Sequence, residues 1–247
     1  MSEQATFWEH LDELRYTILR SLTIMLILSI VSFCLKEELF AIILAPRSSD
    51  FVSYRLLGID ERFFINLMNT GLTEQFMTHM KVALYSGLLL ASPYILYELF
   101  RFVSPGLYAK ERKAAIQIVT SAYCMFVIGT LVNYLLVFPL TLRFLGTYQV
   151  SSDVANMLTL QSYIDTLIGM SFVMGVVFEL PVVCAILGKM GLINKTMMAK
   201  YRRHAIVAIL IVSAIITPTT DAFTLFVVAL PVWLLYELSI LLVKFRK

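Results

Sequence analysis

Charged side chains are scarce in this chain. They make up 15% of its 247 residues, where a soluble domain carries about 25%. So little charge over such a length excludes an ordinary water-solvated surface. Cysteine is rarer still: Cys34, Cys124 and Cys184 stand far apart, each inside an apolar run, with no CxxC or Cys/His spacing. That argues against a disulfide framework or a zinc site and leaves the thiols as small buried hydrophobes. Histidine is limited to His10, His79 and His204, which fall on opposite sides of the topology derived below and cannot share one metal. HExxH, GxSxG and glycine-rich phosphate loops are all missing, so no constellation for covalent, metal or nucleotide chemistry is visible, and neither an enzyme nor a cofactor is expected. The N-terminus lacks a basic region followed by a short apolar core and a cleavage site, so no removable signal or transit peptide is expected. A net charge of +3 is too small to point to nucleic acid.

What the chain has is hydrophobicity: 59% of its residues are apolar and its mean hydropathy is +0.81. Apolar stretches of bilayer length recur. The reading is an all-α membrane protein, one polytopic domain over residues 1–247. Six transmembrane helices are expected near 17–35, 82–100, 114–138, 163–188, 205–217 and 222–243. The second and sixth contain Pro93 and Pro231, which lipid tolerates where neighbours satisfy the freed carbonyls. The fifth gives about 20 Å of helix against a hydrocarbon core of about 30 Å, so local thinning or flanking residues must complete its crossing. Lys and Arg set the orientation. Fourteen lie in the N-terminal segment, the 101–113 and 189–204 loops and the tail, against six on the other side. Both termini are therefore expected in the cytoplasm. The outer segment 36–81 forms a small extracytoplasmic cap, in which "LFAIILAP" reads as an interfacial helix stopped by Pro46 and Thr73 as the N-cap of the helix that runs into the second span. No internal repeat is evident, which argues against inverted-repeat transporters.

Three places carry candidate chemistry. In "TFWEHLDELRYTILRSL", Phe7, Trp8, Leu11, Leu14 and Ile18 recur at helical spacing, Thr6 with Glu9 forms a capping box, and Glu9, Asp12 and Glu13 make an acidic side. Those acids read either as a solvated face favoured by the helix dipole or as an anionic patch for a basic ligand. In "FRFVSPGLYAKERK", Phe102, Leu107 and Tyr108 flank a Pro105-Gly106 turn, and Glu111 stands among bases. This is either an interfacial loop with a local ion pair or a seat for a peptide whose arginines precede an apolar stretch. Glu179, in "FVMGVVFELPVVCAILGK", has no basic residue within nine positions. It lies about 15 Å of helix from Lys189, near mid-bilayer, where a charge costs about 2.5–3.5 kcal/mol. It reads either as an internal hydrogen bond to the carbonyl freed by Pro181, or as a docking point for a polar group on another helix.

"EHLDELR", "FVSPGLYAKERK", "FELP" and "TPTTD", in this order over nearly the whole chain, resemble the TatC family, the multi-spanning subunit of the twin-arginine protein translocase. The resemblance implies a cupped six-helix bundle with both termini inside, in a bacterial cytoplasmic (inner) membrane. It implies signal-peptide binding by Glu13, beside Glu9 and Arg15, and by Glu111, with Phe102 as the nearby aromatic. It makes Glu179 the intramembrane acid, Pro46 the proline of the first outer loop and Asp221 the acid after the fifth span. The departure from the family pattern is "TPTTD", where a second proline, as in "TPPD", is expected. Implied partners are twin-arginine signal peptides of folded cargo, TatA-like and TatB-like single-span subunits, membrane lipid and further copies of the chain, with no nucleic acid and with the proton-motive force as driver. The alternative is a proton-coupled small-solute transporter using Glu179. An intramembrane protease is disfavoured because no catalytic pair is visible.

Overall fold

A backbone that runs through hydrocarbon must bond to itself, and the apolar runs of this chain are helical. The computed structural model describes residues 7–59, 61–103, 109–148, 151, 157–217 and 221–243, with side chains over 11–102 and from 115 onward within those ranges. In chain order the helices are α1 (Phe7–Cys34), α2 (Lys36–Ile43), α3 (Val52–Leu56), α4 (Glu74–Val103), α5 (Ala109–Val132), α6 (Phe138–Thr147), α7 (Leu160–Val177), α8 (Leu180–Lys189), α9 (Lys195–Lys200), α10 (Arg202–Ile216) and α11 (Ala222–Leu242). A 3-10 turn, Ala45–Arg47, follows α2, and a π-turn, Asn133–Val137, joins α5 to α6. Two short strands, β1 (Leu67–Met68) and β2 (Leu158–Thr159), pair in parallel with Leu67 opposite Leu158.

Among the described residues five stretches are long and apolar enough to cross a bilayer: Leu11–Cys34, Glu74–Phe102, Ala115–Thr147, Leu160–Lys189 and Ala222–Leu242. The expected fifth span is α10, with 15 residues, about 22 Å of helix. Two spans differ from the sequence expectation, and proline explains both. A proline removes one N–H and crowds the carbonyl four residues back. Pro139 follows the π-turn, and the carbonyl it frees, Leu135 O, accepts the Ser53 hydroxyl. The third span therefore runs on to Thr147 instead of ending near 138. Pro181 breaks the fourth span into α7 and α8, with Phe178 and Glu179 as the turn between them. The Glu179 N–H reaches back to Val176 O at 3.1 Å. Pro93 leaves α4 unbroken, and Ser92 Oγ donates to the freed Leu89 carbonyl at 2.5 Å.

The chain divides into two compact units, residues 1–41 with 75–123 and residues 42–74 with 124–247. In the first, α1 and α4 are antiparallel. Arg20 meets Glu98 at 3.6 Å, and Phe33 stacks on His79 with ring centroids 3.9 Å apart. Between these points the backbones touch: a Cβ added to Gly87 would lie 2.6 Å from Ser29 N and 2.7 Å from Ser29 Cα. Ala83, Gly87 and Ala91 share one face of α4 at four-residue spacing, with Ala83 and Ala91 buried. Close approach through small residues replaces the hydrophobic drive that lipid cannot supply.

In the second unit Phe138, Ile164, Met170, Met174, Val228 and Val232 are buried. Helices α5 and α7 interlock through two glycines. A Cβ at Gly129 would lie 2.7 Å from Phe178 Cβ, and one at Gly175 would lie 2.6 Å from the Phe126 ring. Each glycine seats a phenylalanine of the other strand of the pair. The segment from α2 to α3 is held by tyrosines. The last carbonyls of a helix lack intrahelical donors, and here Tyr134 OH donates to Ile42 O at 2.6 Å and Tyr163 OH to Ile43 O at 2.7 Å. Tyr54 OH lies 2.9 Å from both Pro46 O and Pro139 O. Burial pushes its phenol above the usual range, against the opposing Arg143 charge, so it stays a donor. Glu74 ties the loop before α4 to the start of α7. Its Oε2 accepts the N–H groups of Thr70 and Gly71, both at 2.8 Å, and its Oε1 accepts that of Gln161 at 3.2 Å.

Candidate functional site

Because α1 and α4 run antiparallel, the start of α1 and the end of α4 come to one end of their unit. Glu13 and Phe102 therefore stand at the same end. Glu13 is exposed, as are Asp12 and Arg15, and Phe102 is half-buried. Residues two apart on a helix point in different directions, so Arg15 does not neutralise Glu13. Among the described residues neither has an ion pair or a side-chain hydrogen bond. The result is a carboxylate with open acceptor positions among the described residues, at the same end of the unit as an aromatic. Glu9 lies in the first turn of α1 and Glu111 in the first turn of α5. The side chains of both, and Thr6 of the expected capping box, lie outside the described residues.

Next to this end runs an apolar groove of about 470 Å³ between α4 and α5, lined by Pro93, Tyr97, Phe100, Ile116, Val119 and Tyr123. Phe100 is two positions from Phe102, so the groove lies along the helix that carries Phe102.

Glu179 occupies the turn between α7 and α8 and is half-buried. Its neighbour Phe178 is wedged against Gly129, which fixes the turn on α5. The side chain makes no capping bond to α8. Among the described residues its carboxylate has no hydrogen-bond or ion-pair partner, so the internal bond to the carbonyl freed by Pro181 is not formed. Helix breakage at Pro181 leaves the acid at a bend with its polar atoms uncommitted.

Pro46 is buried inside the 3-10 turn, and its carbonyl is a Tyr54 acceptor. Asp221 is the N-cap of α11. Its Oδ1 accepts the Thr224 N–H at 2.7 Å and its Oδ2 the buried Thr224 hydroxyl. Residues 218–220 of "TPTTD" lie outside the described residues. Sequence reasoning missed Glu98, which lies near Arg20, Arg101 and Tyr94. The one signal available was its spacing of three from Arg101.

Comparison with known proteins gives one answer. A family model described as "Sec-independent protein translocase protein (TatC)" matches residues 9–231. The Sec-independent protein translocase protein TatC of Carboxydothermus hydrogenoformans is 35% identical over 98% of this chain and 94% of its own length. That of Desulforapulum autotrophicum is 34% identical over 97% of this chain and 84% of its own. A crystal structure of the twin-arginine translocase receptor TatC in DDM is similar with a TM-score of 0.73 and 33% identity, covering 96% of this chain and 100% of that one. A second crystal structure of that receptor gives 0.70 and 34%, covering 95% and 97%.

Proposed function

The chain belongs to the TatC family of Sec-independent protein translocase proteins, and from that membership we propose that it is the receptor for twin-arginine signal peptides in its translocase. It is a multi-pass membrane protein and a transport component, not an enzyme. The observation that carries the reading is Glu13: an exposed carboxylate, without an ion pair among the described residues, near the start of α1 and at the same end of the unit as Phe102. A guanidinium offers paired N–H donors to such a carboxylate, and Arg–carboxylate pairs are short, often bidentate and geometrically selective. A lysine pair is a poorer fit. Glu111, in the first turn of α5, supplies the second acid, and Glu9 and Arg15 tune the first. The apolar stretch behind the arginines follows the groove along Tyr97 and Phe100.

In this reading both termini face the cytoplasm, α10 completes a cupped bundle of six spans, and the membrane is the bacterial inner membrane. Glu179 docks a polar group of a TatA-like or TatB-like helix, further copies of the chain join the complex, and the proton-motive force drives export of folded cargo. Pro46 and Asp221 hold the outer turns.

The test is binding of a fluorescent twin-arginine peptide to the purified chain. Glu13→Ala should weaken it roughly tenfold to a hundredfold, the effect of losing one hydrogen bond to a charged partner. Higher salt should weaken it too, because the site is exposed. Equal binding by Glu13→Ala and the parent overturns the assignment.

A further inference from the structure

Glu98 has no part in that reading, and its surroundings are unusual within this chain. Its side chain is 3% exposed, while the arginines beside it, Arg20 and Arg101, are 51% and 58% exposed. Arg20 Nη1 lies 3.6 Å from Oε2 and Arg101 Nη1 lies 3.8 Å from Oε1. Neither distance is a hydrogen bond. Oε1 accepts the Tyr94 hydroxyl at 3.1 Å, and among the described residues Oε2 has no hydrogen-bond partner. Two other arginine–acid pairs are tight, Arg143 with Glu61 at 2.8 Å and Arg202 with Glu237 at 2.7 Å, while the exposed pair of Arg55 with Asp50 is loose at 3.7 Å. One close arginine would have served Glu98 equally well.

Two guanidiniums from two helices instead converge loosely on one buried carboxylate. The acid draws them together from behind without using up their donors. Each guanidinium has five N–H groups, and those turned away from Glu98 have no partner among the described residues. The cluster has a net charge of one positive unit. Exposed apolar side chains flank it on both helices: Leu19 and Leu22 on α1, Tyr97 and Leu99 on α4.

We propose that Arg20 and Arg101 form a clamp for the phosphate of an anionic phospholipid, with Glu98 as the buried post that keeps the two guanidiniums side by side. The planar fork of arginine matches phosphate oxygens. The flanking leucines select the source, because a lipid brings hydrocarbon next to its phosphate and a free anion brings none. The site is separate from Glu13, and its test does not depend on signal-peptide binding.

The experiment places the full chain in nanodiscs of phosphatidylcholine mixed with phosphatidylglycerol and counts, by native mass spectrometry, the lipids retained on release. The parent should retain phosphatidylglycerol about fivefold above its share of the bilayer, the factor expected for one net positive charge at an anionic membrane surface. The combined variant Arg20→Gln/Glu98→Gln/Arg101→Gln removes all three charges, so no buried acid is orphaned. It should lose the preference while unfolding in pure phosphatidylcholine at the parent's temperature. Arg101→Gln alone, which leaves Arg20 to neutralise Glu98, should also lower the preference and serves if the combined variant does not fold. An unchanged preference in either variant, or none in the parent, overturns the clamp. Displacement of phosphatidylglycerol by inorganic phosphate overturns the lipid as its ligand.

Discussion

Replacing Gly87 by alanine should pry α1 from α4. The new Cβ would sit 2.6 Å from Ser29 N and 2.7 Å from Ser29 Cα, whereas non-bonded carbons rest about 3.5–4.0 Å apart. Ser29 Oγ lies closer still and can rotate away, but these two atoms are backbone and cannot, so the helices must separate by about 1 Å at the crossing. Overpacking of this kind costs up to about 3 kcal/mol. Alanine returns about 1 kcal/mol of helix propensity, which leaves a net loss of about 2 kcal/mol. Gly169 in α7 is the internal control. A Cβ there meets nothing within 4 Å, so Gly169→Ala should gain about 1 kcal/mol from propensity alone. The assay is an unfolding titration in mixed micelles followed by circular dichroism. Two identical substitutions should move the midpoint in opposite directions. Adding Ser29→Gly to Gly87→Ala removes the hydroxyl contact and should restore only part of the stability, since the backbone contacts remain. Gly87→Ala as stable as Gly169→Ala, or full rescue by Ser29→Gly, would refute the backbone-contact reasoning.

Three further outcomes are expected. Glu179→Gln keeps a donor and an acceptor and should retain most crosslinking to a TatA-like helix and most transport, while Glu179→Ala should lose both with signal-peptide binding intact. Full transport by the alanine variant removes the docking role, and loss with glutamine at normal crosslinking favours proton transfer at this acid. Tyr54→Phe withdraws the proton shared between Pro46 O and Pro139 O and should cost about 1–3 kcal/mol in the same titration, the penalty for unsatisfied buried acceptors. An unmoved midpoint would show that the tyrosine is not holding the turn. Cysteine placed at Ser49 should label from outside intact cells and cysteine at Lys195 should not; labelling at 195 reverses the orientation read from the basic loops.

Much of the membrane architecture was legible because hydropathy alone forces it. The apolar runs near 17–35, 82–100 and 222–243 are helical as read, and α10 is as short as "AIVAILIVSAII" suggests. Pro46 was visible as a breaker, whereas the break at Pro181 was not expected in a span drawn unbroken over 163–188. What the sequence hid was how prolines are accommodated. Pro139 and Arg143 make 133–147 look like the end of a span, yet a π-turn and the Ser53 hydroxyl carry the helix through to Thr147. Glu13 was legible as an acid on an amphipathic helix, and that it has no partner among the described residues emerges only in three dimensions. Glu98 was passed over because its partner Arg20 is far away in sequence. The tyrosines that hold the segment from α2 to α3 share that difficulty: Tyr163 and its acceptor Ile43 are separated by 120 positions.

The hydroxyl of Ser53 on the Leu135 carbonyl has a consequence for the order of synthesis. Pro93 brings its own remedy, since Ser92 is made one residue before it. Pro139 depends on a donor from another segment, and that donor lies earlier in the chain. As the ribosome releases the third span, α3 has already been made, and its hydroxyl is available before the carbonyl that needs it. The dependence runs with translation: a segment made earlier carries the donor for a later, proline-weakened helix. A circular permutant that moved residues 36–73 behind the third span would ask that helix to enter the bilayer with its carbonyl bare.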